Sequence, residues 1–303
     1  MIKILGTTTA ALLLAAGLVP GTAAAKPSAT AAVGGCAVAI GSVTAGGDHR
    51  EQGAFAGAPP TAPASRILGK AVYPDGAVRI SSSMSRGDDG ISIAFVSGYS
   101  VLGDALYFAQ YSTGDDGVID GGVKRIGGGW GTFVFLDETA YYDKVLRHNT
   151  YGLRNDGTLF RWTLDSNGVW RSKVSAPGFA SVKSMALISS TKTYDTFLAN
   201  TRGGALYTIH IPTTAPMKPI VKQVRTKTWQ GFETLLAQQC GQYGTVLLGI
   251  DRDTHAGYLY ALGHATGATT VIQSFGKVPA SFTDPVYFHY TDGNATWKPP
   301  FGE

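Results

Sequence analysis

The stretch that decides the fold is Val123-Lys-Arg-Ile-Gly-Gly-Gly-Trp130-Gly-Thr-Phe133-Val-Phe-Leu136, which after a polar connection closes with Tyr151-Gly-Leu-Arg-Asn155-Asp156-Gly-Thr-Leu-Phe-Arg-Trp162. Its parts recur along the chain. A glycine-rich turn followed by a Leu-aromatic pair stands at Leu106-Tyr107, Leu159-Phe160, Leu206-Tyr207 and Leu259-Tyr260, with the leucines 53, 47 and 53 residues apart. Each pair is followed by a Val/Ile-rich run and a phenylalanine that opens another apolar run: Phe133, Phe179, Phe232 and Phe282, spaced 46, 53 and 50. Two markers that keep one period make this a repeat architecture rather than a single unique core.

A unit of this length, with about four short apolar runs separated by turns and no helical periodicity, matches one propeller blade. Each twisted four-stranded sheet buries its faces on its neighbours and leaves only short edges. The expectation is an all-β chain, a β-propeller of about five four-stranded blades over residues 66–303. A diverged unit is read in Tyr73-Pro-Asp-Gly-Ala-Val78-Arg-Ile80 and Ile91-Ser-Ile-Ala-Phe-Val96, ahead of the four clear ones. Asn155-Asp156-Gly157 reads as a hairpin turn, because Asp-Gly tolerates positive φ. A β-sandwich of similar strand spacing is the rival, but it has no need of one motif at a constant period.

Residues 1–25 carry Lys3, an apolar run centred on Ala10 to Val19 and a closing Ala23-Ala24-Ala25, the pattern of a secretory signal peptide. Gly17 and Pro20 cut the apolar run short of the roughly 18 residues that a membrane span needs. The protein is therefore expected to be secreted and extracellular, with no membrane span in its mature form. Residues 26–65 are rich in Ala, Gly, Pro and Ser, with one candidate strand from Cys36 to Val43 and an extended linker at Ala58-Pro-Pro-Thr-Ala-Pro-Ala-Ser65.

Without the leader the chain has 24 basic and 21 acidic side chains and no run of five basic residues, so nucleic acid is not expected as a partner. Forty glycines and only 15% charged residues, with many Thr, Val and Tyr, suit an extracellular β protein. Cys36 and Cys240 are the two cysteines; an even count in an exported chain predicts a disulfide bond, against the alternative of two buried thiols. Neither lies in a CxxC pair, which argues against a sulfur-ligated metal.

Residues 123–136 together with the 155–162 hairpin resemble the tachylectin-like β-propellers, secreted lectins of five blades. The Ile-Gly-x-Gly-Trp-x-x-Phe phrase is also similar to FG-GAP or VCBS repeats, though the Asp-x-Asn-x-Asp-Gly calcium loop that usually follows there is missing. Pro177-Gly178-Phe179 and Pro279-Ala-Ser-Phe282 stand where the second and fourth units would carry the tryptophan phrase. The resemblance implies non-catalytic carbohydrate binding outside the cell, with N-acetylated sugars or cell-wall glycans as ligand.

For that ligand the reading selects Trp130, Trp162 and Trp229 as aromatic platforms and Asn155, Asp156 and Asp251 as hairpin residues able to bond hydroxyl or acetamido groups. No cofactor, metal or catalytic residue is expected. Asp251-Arg-Asp253-Thr-His255 occupies a hairpin turn, and Asp116-Gly-Val118-Ile-Asp120-Gly121 has valine where a calcium loop requires oxygen. Gly98-Tyr-Ser100-Val-Leu102 lacks the last glycine of a nucleophile elbow. An extracellular protein-interaction or adaptor role is the alternative. A propeller glycosidase comes after it, its carboxylates mostly aspartates that sit in turns.

Overall fold

The computed structural model describes residues 35–89, 93–114, 117–293 and 299–303. The signal-peptide reading of residues 1–25, and Ile91 and Asp116 of the motifs above, lie outside the described residues. Among the described residues there is one 3-10 turn, Gly267–Thr269, no α-helix, and no helix long and apolar enough to cross a membrane.

The strands, in chain order, are β1 (Ala37–Val43), β2 (His49–Phe55), β3 (Arg66–Gly69), β4 (Val78–Asp88), β5 (Ala94–Leu102), β6 (Ala105–Gly114), β7 (Gly117–Gly128), β8 (Phe133–Asp143), β9 (Val145–Arg154) and β10 (Leu159–Leu164). There follow β11 (Trp170–Ala176), β12 (Val182–Ser190), β13 (Tyr194–Thr201), β14 (Leu206–Pro212), β15 (Ile220–Arg225), β16 (Thr234–Cys240), β17 (Gly244–Asp251), β18 (Ala256–Leu262), β19 (Ile272–Ser281) and β20 (Val286–Asp292). The second strands β13 and β17 are buried on both faces, each around a three-residue apolar run, Phe197-Leu-Ala199 and Val246-Leu-Leu248. The fourth strands β7 and β15 are mostly exposed, and there lysine and arginine guard the open edge.

Strands β8–β11, β12–β15 and β16–β19 each form a four-stranded antiparallel sheet in chain order. The other eight strands make one sheet, β3-β2-β1-β20-β4-β5-β6-β7, with a seam at its middle. There β20 and β4 run parallel and pair only through Tyr290 with Met84, Thr291 with Ser85 and Asp292 with Arg86. Beyond the seam, β20 near the C-terminus leads into β1, β2 and β3 with antiparallel pairing throughout. Residues 26–65, read as lying outside the repeats, therefore supply β1 and β2, and the proline-rich stretch connects β2 to β3.

The apolar side chains form five clusters, each between two successive groups of four strands. Val43, Tyr73 and Phe288 meet Met84, Val96 and Tyr111. Tyr99 and Leu106 meet Trp130, Phe133 and Phe160. Tyr151 and Leu153 meet Phe197 and Ile209. Ile188 and Leu198 meet Phe232 and Leu247. Val246, Leu248 and Phe282 meet Val38 and Ile40.

The linkers repeat as well. The backbone N–H of Tyr73 donates to the Gly47 carbonyl at 3.1 Å, Trp130 to Asp104 at 2.9 Å, Phe179 to Gly157 at 2.9 Å, Trp229 to Gly204 at 3.0 Å and Phe282 to His255 at 3.0 Å. In each case an aromatic residue before a first strand is tied to the hairpin joining the second and third strands of the preceding unit. Gly157 sits there at φ +83, and a Cβ on it would collide with the amide of Ala180. This corrects the repeat register: Phe179 and Phe282 take the place of Trp130 and Trp229, not of Phe133 and Phe232. Phe133 opens β8 and Phe232 lies two residues before β16, and each lies 2.8 Å from where a Cβ on Gly152 or Gly249 would stand.

Cys36 and Cys240 are joined, so the segment before β1 is fastened to the end of β16. Closing a loop of 204 residues restricts the unfolded chain by about 5 kcal/mol on the chain-entropy account. Replacing both cysteines by serine should lower the urea midpoint by an amount equivalent to about 2–5 kcal/mol, and an unchanged midpoint would show that the bridge is dispensable.

Two kinds of buried group set an opposed pH dependence. His49, 0% exposed, keeps its pKa near 3 because burial penalises its charge; its Nδ1 bonds the Tyr111 hydroxyl. The unfolded chain takes up this proton first, near pH 6.5, so stability falls as pH drops from there. Asp137 is raised to about 6, first by burial, against the backbone N–H groups of Ser83 and Glu138, which donate to it at 3.0 and 2.9 Å. Its contribution runs the other way, present below about pH 4 and lost as pH rises through about 6. Asp137→Asn should raise stability at pH 7 and steepen the loss between pH 6.5 and 4, measured by urea unfolding at each pH. An unchanged profile would mean that the carboxylate is well solvated.

Candidate functional site

The group β4–β7 faces the sheet β8–β11 across a junction lined by aromatic rings. Alternation puts Glu138, His148, Thr150, Gly152, Phe160 and Trp162 on one face of the second sheet, since Glu138 and Trp162 both pair with Thr150 and Phe160 pairs with Gly152. Trp170 opens β11 opposite Leu164 and joins that face. From the first group come Tyr99 and Phe108, with ring centroids 5.0 Å apart.

Trp130, 8% exposed, packs on Phe133 at 4.4 Å, on Trp162 at 5.4 Å and edge-on to Trp170 at 5.7 Å. Phe160 and Trp162 stack at 5.5 Å with planes 20° apart, and the Lys173 ammonium stands 4.7 and 5.8 Å from their centroids. The Trp170 Nε1–H donates to the Tyr99 hydroxyl at 3.2 Å. Phe108, Trp162 and Trp170 are half-buried, so the wall that they form is open to solvent on one side.

Polar groups stand beside that wall. Glu138 Oε1 lies 2.8 Å from His148 Nε2, and the Ser82 hydroxyl donates to Glu138 Oε2 at 3.4 Å. The Tyr99 phenol is held above its usual pKa, chiefly by burial and also by Glu138. Thr150 Oγ1, fully buried, has no partner among the described residues. The set offers a carboxylate, an imidazole and hydroxyls next to ring faces, the combination that holds a ring with one apolar face and hydroxyls at its edge. Asp137 and Glu138 are successive on β8 and engage different partners, so they do not form a facing acid and base pair.

A related quartet recurs where β12–β15 meets β16–β19: Trp229 lies 5.6 Å from Phe232 and 5.0 Å from Tyr260, and Phe232 lies 6.0 Å from Tyr258. Gly249 pairs with Tyr258 as Gly152 pairs with Phe160.

The structure separates the residues selected from sequence. Trp130 and Trp229, at 8% and 5% exposure, are core residues whose rings are covered by Phe133 and Phe232, so neither presents a face to a ligand. Trp162 is the one selected platform that keeps a half-open ring. The selected polar residues cap turns. The Asp156 carboxylate accepts the Thr158 N–H at 2.9 Å, and Asp251 accepts the N–H groups of Asp253 and Thr254 at 3.0 and 3.1 Å. Asn155 is exposed in the β9–β10 hairpin, where its own N–H donates to the Thr132 carbonyl at 2.9 Å. Sequence reasoning missed Phe108, Glu138, His148 and Lys173, and weighed Trp170 without choosing it. The period-2 alternation that places Glu138 with Trp162 would have found part of the set, but only with the strand register in hand.

No family model and no curated protein matches the chain, so the tachylectin-like and FG-GAP phrases remain a resemblance. Solved structures that superpose on it include the fucose-specific lectin from Aleuria aurantia, with 9% identity, 85% of each chain covered and a TM-score of 0.47. A mutant of AofleA from Arthrobotrys oligospora superposes with 12% identity over 84% of this chain and 73% of that one, at a TM-score of 0.46. The SapL1 lectin in complex with alpha methyl fucoside does so with 10% identity over 80% and 97%, at 0.41. None reaches a TM-score of 0.5, and the description of the fold and of the site rests on this chain's own strands and side chains.

Truncation should separate core from wall. Trp130→Ala is expected to cost about 3–5 kcal/mol of stability, whereas Trp162→Ala and Trp170→Ala should cost less because their rings are already half in water. Thermal unfolding of the three variants tests this, and equal losses would place all three rings in the core.

Proposed function

We propose that the protein is a secreted, non-catalytic carbohydrate-binding β-propeller whose ligand stacks on Trp162, Trp170 and Phe108 at the junction of β4–β7 with β8–β11. The observation that carries this reading is the half-open aromatic wall beside Glu138, His148 and the Tyr99 hydroxyl. A pyranose presents C–H groups to such a wall and hydroxyls to such a rim, and desolvation of the wall supplies most of the free energy. N-acetylated hexosamines and cell-wall glycans are the first ligands to try. Five blades are part of the proposal: the fifth consists of β20, β1, β2 and β3, supported by the five inter-unit clusters and the five aromatic tethers. Export rests on the leader-like residues 1–25.

A glycan array followed by titration of intrinsic tryptophan fluorescence tests the function. A dissociation constant of about 0.1–1 mM for a monosaccharide is expected at one site, and multivalent display would tighten it. Trp162→Ala and Glu138→Gln should each weaken binding about tenfold or more, a change of about 1.4 kcal/mol, in protein that remains folded. Silence of the wild type toward every immobilised glycan would overturn the proposal and favour an adaptor role. Release of reducing ends from a bound polysaccharide would make it an enzyme.

A further inference from the structure

A second aromatic site lies where the last described residues cross two sheets. Residues 299–303 run between the ends of β12 and β18: the Gly302 N–H donates to the Ile188 carbonyl at 2.8 Å, and the Ala265 N–H donates to the Gly302 carbonyl at 2.7 Å. Phe301 bridges Ser189. Tyr243 comes from the β16–β17 turn, His264 from the connection after β18, and Tyr194 from the start of β13. Together with Phe301 and Glu303 they line a cleft of about 480 Å³, a size in the ordinary range for small-ligand sites.

The rings have no core role that would account for them. Tyr243 is 47% exposed and Phe301 is 40% exposed. The centroids of Tyr243 and His264 are 5.7 Å apart, those of Tyr243 and Phe301 5.8 Å, and those of His264 and Phe301 6.3 Å, with interplanar angles of 77°, 50° and 43°. These are angled walls, not a flat stacking platform. The Tyr243 and Phe301 centroids are close enough for one ammonium group to lie within the roughly 6 Å reach of a cation–π contact with both. At the junction of β4–β7 with β8–β11 the protein's own Lys173 covers two ring faces, but among the described residues no lysine or arginine lies over these rings.

The charge agrees with that vacancy. Glu303 also lines the cleft, its side chain 11% exposed, and its Oε2 accepts from the Thr196 hydroxyl and lies 2.7 Å from His210 Nδ1. The carboxylate keeps these two partners, and a cationic guest adds a favourable Coulomb contact with it that a neutral apolar guest does not. A saccharide would want a flat ring face to stack on, and the rings here stand at 77°, 50° and 43° to one another, whereas Phe160 and Trp162 lie 20° apart. A positively charged group with apolar substituents satisfies both the rings and the carboxylate.

We propose that this cleft binds a small organic cation of the quaternary or N-methylated ammonium class, independently of the saccharide site. The probe is choline chloride, titrated by NMR and calorimetry at constant ionic strength against its neutral isostere 3,3-dimethyl-1-butanol. Saturable choline binding is expected, with the isostere at least about fivefold weaker. Tyr243→Ala and Glu303→Gln should each weaken choline at least about fivefold, and the ligand-induced shifts should fall on the Tyr243 and Phe301 rings. His264→Ala is the second variant should Tyr243→Ala fail to fold. Equal binding of the isostere, absence of saturable choline binding, or indifference to these substitutions would overturn the proposal. So would displacement of choline by N-acetylglucosamine, which would assign the cleft to a sugar. Because no tryptophan lines the cleft, tryptophan fluorescence reports the saccharide site separately, and either reading can fail without the other.

Discussion

Each linker between units donates one backbone N–H, from an aromatic residue, to a carbonyl in the hairpin of the unit before it, and the arrangement of the sheets depends on that bond. It places the aromatic ring at the mouth of the next inter-sheet core and sets where the next first strand begins. Trp130 and Trp229 use it to fold over Phe133 and Phe232, while Phe179 and Phe282 make the same bond with a smaller ring. Side chains hold the tryptophan-bearing turns: the Asn200 amide donates to the carbonyls of Trp229 and Phe232 at 2.8 Å, and Arg79 donates to those of Trp130 and Phe133 at 3.4 and 3.3 Å. At Gly47 and Gly157 the absence of a side chain lets the two backbones approach, since a Cβ would collide with the Tyr73 carbonyl or the Ala180 amide.

The tether beginning at Tyr73 explains how the two ends of the chain meet. Gly47 accepts from Tyr73 as Gly157 accepts from Phe179, and β1 pairs with β20, so the β1–β2 hairpin stands beside β20 as the β9–β10 hairpin stands beside β8. Four strands drawn from opposite ends of the sequence then bury Phe288 against Tyr111 and Met84. The disulfide adds a covalent tie between the segment before β1 and the neighbouring sheet, at Cys240. Without β1–β3, β20 would lose its antiparallel partner, and the clusters on either side of it would be exposed.

The repeats are equivalent in backbone but not in side chains. Phe160 and Trp162 face one junction and Tyr258 and Tyr260 face another, whereas β14 places Tyr207 and the buried Ile209 at the corresponding positions. Only the first of these junctions combines a half-open wall with the Glu138–His148 pair. Aromatic residues thus serve two purposes within a few ångströms: Trp130 excludes water from the core so that Trp162 and Trp170 can be held rigidly at its edge.

Strand content, the repeat period, the Asn155-Asp156-Gly157 turn and the pairing of Cys36 with Cys240 were legible from local composition and spacing. Such features depend on alternation, on turn chemistry and on a count of cysteines, all of which act over a few residues or over the whole chain at once. The unit built from both ends was not legible, because β20 lacks the glycine-tryptophan phrase and its partners lie more than two hundred residues away. The difference between Trp130 and Trp162 was also beyond sequence, since both are tryptophans beside glycine-rich turns and only burial tells them apart. The Asp156 and Asp251 carboxylates are engaged by backbone amides, which their residue type and turn context do not reveal. Sequence by itself determined what each repeat is made of. Tertiary structure decided which aromatic faces stay open, because exposure is a property of the neighbouring sheet's surface and no residue encodes it alone.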